Sequence, residues 1–184
     1  MKKVVPVIIG FSIESDMLSY VKTLNESCNR ADGIDFDSAV PHVTLWMGFV
    51  HEKDLHHVFE DYYRVFKNVS LDLKARCIDL FEGINGNVLS LSIINSFELE
   101  TLQNRIHHYW EPYRIVQNEF QTFNKETVSY VNDFWKNSLS NYDPHITIGF
   151  CQEKTELNEL NFSVNDPKIF LMGNNCTCQQ VIRV

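Results

Sequence analysis

Apolar residues fall into two alternating periods along this 184-residue chain. Val4 to Ile13 is a nearly continuous apolar run that predicts a buried strand. Ser15 and Asp16 follow as cap residues for a helix carrying Met17, Leu18, Val21, Leu24 and Cys28 on one face. A polar loop over Arg30 to Ala39 delivers the chain to Pro41 and a second strand, after which Leu55, Val58, Phe59, Tyr62 and Phe66 predict a helix over roughly 53–67. Val69 to Phe81 predicts a long strand, and Asn85-Gly86 a hairpin into the strand Val88 to Ile94. Ser96 then caps a helix with Leu99, Leu102, Ile106 and Tyr109 inward, stopped at Pro112. The long connection 113–141 contains a short helical pattern at Val128, Val131, Phe134 and Trp135, and is the candidate lid or wall. Pro144 opens another strand, followed by a weak polar helix around Glu153–Leu160 and by strands Phe162–Met172 and Cys176–Val184 about a Gly173-Asn174-Asn175 turn.

Strand, helix, strand, helix, strand thus occurs twice, which predicts an α+β fold with internal duplication. We expect one domain over 1–184, with lobes roughly 1–85 and 86–184 and the second strand of each lobe facing the other across a cleft. The pattern that binds the two halves is chemical as well. The second strands read Pro41-His42-Val43-Thr44-Leu45-Trp46-Met47 and Pro144-His145-Ile146-Thr147-Ile148-Gly149-Phe150. Alternation places His and Thr of each copy on one face and Val43, Leu45, Met47, Ile146, Ile148 and Phe150 toward a core. Composition alone would give two His-x-Thr triplets in roughly 4% of shuffled chains, and in roughly 0.1–0.2% once an apolar residue must follow each His and Thr. Chance is therefore a poor explanation.

Composition changes this picture in three respects. A net charge of −8 lacks the basic footprint of a protein that tracks long nucleic acid. No run approaches the roughly 20 apolar residues of a membrane span, and the N-terminal Met-Lys-Lys stretch reads as strand, not signal peptide. Five scattered cysteines argue for free thiols and a cytoplasmic location.

Two histidines on one cleft can serve as general base and general acid at phosphorus, because imidazole adopts either protonation state near neutrality. That chemistry needs no metal and no cofactor. Two Thr hydroxyls can hold the non-bridging phosphoryl oxygens as charge develops on them. His42-Val43-Thr44-Leu45 and His145-Ile146-Thr147-Ile148 resemble the paired His-hydrophobic-Thr/Ser-hydrophobic motifs of the two-histidine (2H) phosphoesterase superfamily, which includes bacterial RNA 2′,3′-cyclic phosphodiesterase and 2′-5′ RNA ligase-like proteins. The resemblance implies a bilobal pseudo-two-fold fold, with two antiparallel-rich sheets lining a central cleft and helices outside. It implies metal-independent cleavage of 2′,3′-cyclic phosphates or 2′-5′ linkages, with His42 and His145 catalytic and Thr44 and Thr147 phosphate-binding. The alternative within the same fold is a catalytically silent nucleotide-binding module. The expected partner is a small nucleotide, a short oligonucleotide or an RNA end, with no long duplex, no membrane and a monomeric chain.

Other residues carry less. Trp46 shares the motif face by alternation and is, with Tyr142, a candidate for stacking on substrate; Phe11 is a further candidate flank. Arg76, Arg114 and Lys136 are candidate phosphate contacts or plain surface charges. His51, His56, His57, His107 and His108 are expected in surface or packing roles, and Cys176-x-Cys178 in packing rather than a zinc site.

Overall fold

The computed structural model describes residues 3–28, 34–83, 86–150, 159–173 and 176–182. Among these residues eight strands and four helices follow in the order β1 (Val4–Ser12), α1 (Ser15–Ser27), β2 (His42–His51), α2 (Glu52–Phe66), β3 (Ser70–Gly83), β4 (Gly86–Ile93), α3 (Phe97–Trp110), α4 (Lys125–Ser140), β5 (His145–Phe150), β6 (Leu160–Asn165), β7 (Lys168–Met172) and β8 (Cys178–Val181), with a 3-10 turn at Glu111–Tyr113. The fold is α+β, as the alternating periods predict. Ser96 caps α3 by accepting from the Leu99 amide at 3.2 Å. Asp166, at φ 38°, and Pro167 divide the expected strand 162–172 into β6 and β7, because Pro167 offers no amide to a ladder. The weak helix expected around 153–160 falls mostly on residues outside those described, as does Asn85, although β3 and β4 pair up to Gly83 opposite Gly86.

All strand pairs are antiparallel, in the order β6-β3-β4-β5-β2-β1-β7-β8. The two halves therefore meet edge to edge: β2 and β5 are hydrogen-bonded neighbours through Val43 opposite Ile146, and not walls on either side of a gap. A boundary near residue 85 does not follow the sheet, since it would part β3 from β4, its hairpin partner. Each repeat instead gives a strand to the other half, with β3 beside β4 and β7 beside β1.

Helices cover both faces unequally. On one face α1, α2 and α3 bury Val21, Phe59, Tyr62, Ile106 and Trp110 against Ile9, Phe11, Val43 and Ile146. On the other, α4 lies over β2 and encloses a smaller core of Ile8, Met47, Phe49, Val128, Val131 and Phe170. This explains the unbroken apolar run of β1, which is buried on both sides. The segment before α4 is tied down as well: the Ile115 amide donates to the Phe49 carbonyl at 2.8 Å, and the Asn132 side chain brackets the Gln117 backbone at 3.1 and 2.6 Å. The expected lid is thus a docked helix on the motif face, where the resemblance places helices outside. Among the described residues no helix is long and apolar enough to cross a membrane.

Candidate active site

Antiparallel continuation from Val43 opposite Ile146 puts His42 across from Thr147 and Thr44 across from His145. The four side chains share one face, each half-buried, while Val43 and Ile146 are fully buried beneath them. The next strands extend the same rows: Ser12 pairs with His42 and Gly10 with Thr44 on one side, Ser92 with His145 and Ser90 with Thr147 on the other. Gly10 is required there, since a Cβ would lie 2.5 Å from the Val43 carbonyl oxygen.

The two motifs are anchored identically. The Pro41 carbonyl accepts from the Ile13 amide at 3.0 Å and the Pro144 carbonyl from the Ile93 amide at 2.9 Å, so each proline opens its strand without a lost donor. His42 Nδ1 lies 2.9 Å from the Val40 carbonyl oxygen, and His145 Nδ1 2.9 Å from that of Asp143. A carbonyl only accepts, so Nδ1 carries the hydrogen in both rings and the lone pair of each neutral ring is on Nε2. Burial drives the His42 pKa down to about 4 against the opposing Val40 hydrogen bond, and the nearby His145 adds to the lowering.

A β-bulge interrupts each motif just past its Thr. Pairing steps from Gly10–Thr44 to Ile9–Trp46 on β2, and from Ser90–Thr147 to Leu89–Gly149 on β5. The extra residues, Leu45 and Ile148, reverse the alternation downstream. Trp46 consequently turns into the core, fully buried and stacked on Trp110 at 5.3 Å between centroids, while Met47 and Phe49 emerge under α4. Trp46 is therefore not a cleft residue, and neither is Phe11, buried in the same core. Trp46→Ala is expected to cost about 3–5 kcal/mol of unfolding free energy, read from urea midpoints, whereas Trp46→Phe should leave KM unchanged.

Beyond the shared plan the halves differ in charge. Lys168, paired with Gly10, donates to Ser12 Oγ at 2.7 Å and to Glu14 Oε1 at 2.9 Å. At the equivalent place in the other half stands Asp79, paired with Ser90, whose Oδ2 accepts from the Ser92 hydroxyl and from Cys77 Sγ at 3.2 Å. A cavity of about 500 Å³ opens on this second side, bounded by His145 and Thr44 at one end and by α4 residues Tyr130, Phe134 and Asn137 along its wall. Tyr142 also borders it, its hydroxyl donating to the Thr44 carbonyl at 2.8 Å, and burial holds that phenol well above its usual range.

The remaining candidates lie elsewhere. Arg114 is held by Glu111 at 3.1 and 3.2 Å and lies 4.6 Å over the Trp135 ring, and Arg76 and Lys136 are exposed. His107 is buried, 2.8 Å from Ser138 Oγ, and His108 is exposed. No group of three or more His, Cys, Asp or Glu among the described residues is placed to hold a metal. Cys77, Cys176 and Cys178 are free, whereas Cys28 is disulfide-bonded, so the inference from scattered thiols to a reducing compartment fails at that residue. Sequence reasoning does not single out Lys168, Ser12, Ser92 or Asp79; the polar positions of Ser90 and Ser92 in an otherwise apolar strand are the one signal that marks them.

A duplicated His-x-Thr pair at the centre of an antiparallel sheet, with both imidazoles on one face, defines the two-histidine phosphoesterase class. The sequence model of the 2′-5′ RNA ligase superfamily matches residues 20–169, and the chain belongs to that family. No curated protein matches it. Among solved structures the chain is similar to TT0787 of Thermus thermophilus, with a TM-score of 0.64 over 97% of this chain and 95% of that one at 9% identity, a likeness of fold.

Proposed function

We propose that the protein is a phosphodiesterase acting on a 2′,3′-cyclic phosphate or a 2′-5′ linkage, with His42 as general base and His145 as general acid. The observation that carries this is the paired anchoring on one face: each Nδ1 is bound to the carbonyl two residues before it, which makes Nε2 the proton-exchanging nitrogen of both rings. For a cyclic phosphate, His42 Nε2 takes a proton from water as its oxygen bonds to phosphorus. The bond from phosphorus to one ribose oxygen breaks, and His145 Nε2 delivers its proton there. In a 2′-5′ linkage the neighbouring ribose hydroxyl takes the place of water. Thr44 and Thr147 hold the non-bridging oxygens. The base is assigned from burial, which keeps His42 neutral and so able to accept a proton. The scheme draws both proton transfers from the chain itself, and the chain works as a monomer of one domain.

A panel of 2′,3′-cyclic mononucleotides, cyclic-phosphate-ended RNA, 2′-5′ and 3′-5′ oligoadenylates and linear DNA tests this with the parent protein and His145→Ala, with and without EDTA. We expect His145-dependent, chelator-resistant cleavage of the cyclic or 2′-5′ substrates. Binding without turnover would identify a silent nucleotide-binding module, and preferential cleavage of linear 3′-5′ DNA would refute the substrate class.

A further inference from the structure

We propose that Lys168 and Ser12 form a second phosphate subsite beside His42. It takes the 5′-phosphate of the nucleotide whose 2′-oxygen carries the reacting phosphorus, and so favours oligonucleotides and 5′-phosphorylated ends over a bare cyclic nucleoside phosphate. This rests on the phosphodiesterase reading, because it takes the reacting phosphate to lie between His42 and His145. Ser12 pairs with His42, and Gly10 pairs with Thr44 on one side and Lys168 on the other, so these residues stand in two neighbouring rows on the motif face. With Gly10 in the row, no β1 side chain rises between Lys168 and Thr44. Ser12 lies one and a half strand spacings from the midpoint between β2 and β5, about 7 Å, a distance that one ribose with its 5′ arm spans.

The donors already converge on an anion. Lys168 Nζ donates to Ser12 Oγ at 2.7 Å and to Glu14 Oε1 at 2.9 Å, and the Ser12 hydroxyl donates to the same Glu14 oxygen at 3.2 Å. One carboxylate oxygen thus sits where a phosphate oxygen would, held by an ammonium and a hydroxyl, and the Lys168 hydrogen bond is the main reason that the Glu14 carboxyl lies below its usual range. Glu14 is the removable member of the three. Its side chain is 67% exposed against 32% for Lys168, and an exposed ion pair stabilises little. Although Glu14 is the N-cap of α1, its side chain makes no cap bond, so the helix loses no cap when it moves. An ammonium has three N–H groups, so Lys168 can keep Ser12 and present two donors to a phosphate once Glu14 leaves. The far side of the motif offers no such place, since no Lys or Arg among the described residues borders the cavity beside His145. One lysine suits one flanking phosphate, in keeping with a net charge of −8 that disfavours a long phosphate backbone.

Calorimetric titration with adenosine 2′-monophosphate and adenosine 2′,5′-bisphosphate tests the subsite without any turnover. The bisphosphate is expected to bind at least about 5-fold tighter, the effect of a charge-assisted contact reduced by the exchange with Glu14. Lys168→Met should bring that ratio near one, and Lys168→Arg should keep most of it. Glu14→Gln removes the competing charge and should raise the ratio, which covers the case in which Lys168→Met does not fold. Equal binding of the two ligands by the parent protein, a ratio unchanged in Lys168→Met, or a ratio that falls in Glu14→Gln would overturn the proposal. Cleavage is then compared for adenosine 2′,3′-cyclic phosphate with and without a 5′-phosphate, the former being expected to react at the higher kcat/KM. Preference for the bisphosphate with no cleavage of any cyclic or 2′-5′ substrate would sink the phosphodiesterase reading and leave the anion subsite standing, whereas cleavage at equal kcat/KM for the two cyclic substrates would sink only the subsite.

Discussion

Replacing His42 or His145 by alanine is expected to lower kcat/KM by about 10²–10⁴-fold in each case, the range for removing one positioned acid or base. The double replacement should fall little below the worse single variant, because groups that act in one displacement lose their joint contribution once either is gone. Folding should survive. Both residues are half-buried, and the Nδ1 of each hydrogen-bonds a carbonyl two residues away, an interaction worth about 1 kcal/mol net. His108, exposed on α3, is the control, and His108→Ala should retain full activity. Circular dichroism and urea midpoints separate lost chemistry from lost structure. Near-parental turnover in either active-site variant, with the fold intact, would remove that imidazole from the mechanism.

The motif is legible because its chemistry sits on the shortest possible period. His-x-Thr needs only that a strand alternate, and at both copies the ladder is regular from the histidine to the threonine. What lies one residue further is not legible. The bulges at Leu45 and Ile148 come from fitting a curled sheet to its neighbours and leave no mark in composition, so Trp46, which alternation puts beside Thr44, packs against Trp110 instead. The same limit governs the lobes. Element order is local and can be read from periodicity, but that β3 joins β4 while β7 joins β1 is a long-range choice among strands of similar pattern. Asp79 and Lys168 escape for that reason: each gains meaning only from the strand beside it. The segment 113–141 is visible as an irregular wall, and its place on the motif face follows from Val128 and Val131 meeting Met47 and Phe49, two residues that only the bulge turns toward them.

The pH dependence should show an acid limb set by His42. Its pKa is lowered to about 4, with burial the main cause, so the base form is complete above about pH 5 and kcat/KM should fall about tenfold per pH unit below 4. The full profile should be a bell whose two limbs belong to the coupled pair of imidazoles. Stability should fall in the same direction. A histidine whose folded pKa lies below its unfolded value near 6.5 binds its proton only in the unfolded chain within that window, so the fold weakens as pH drops from about 6.5 to 4. His107, lowered to about 4 chiefly by burial against Ser138 and Phe134, with Glu111 opposing and Arg114 assisting, adds about 3 kcal/mol to the same loss. Rates and unfolding midpoints must therefore be measured together, and NMR titration of the His42 ring distinguishes them: its midpoint should fall near 4 and rise in His145→Gln, where the repelling neighbour is gone. An activity maximum below pH 4 in a folded protein would give His42 the acid's role and reverse the assignment.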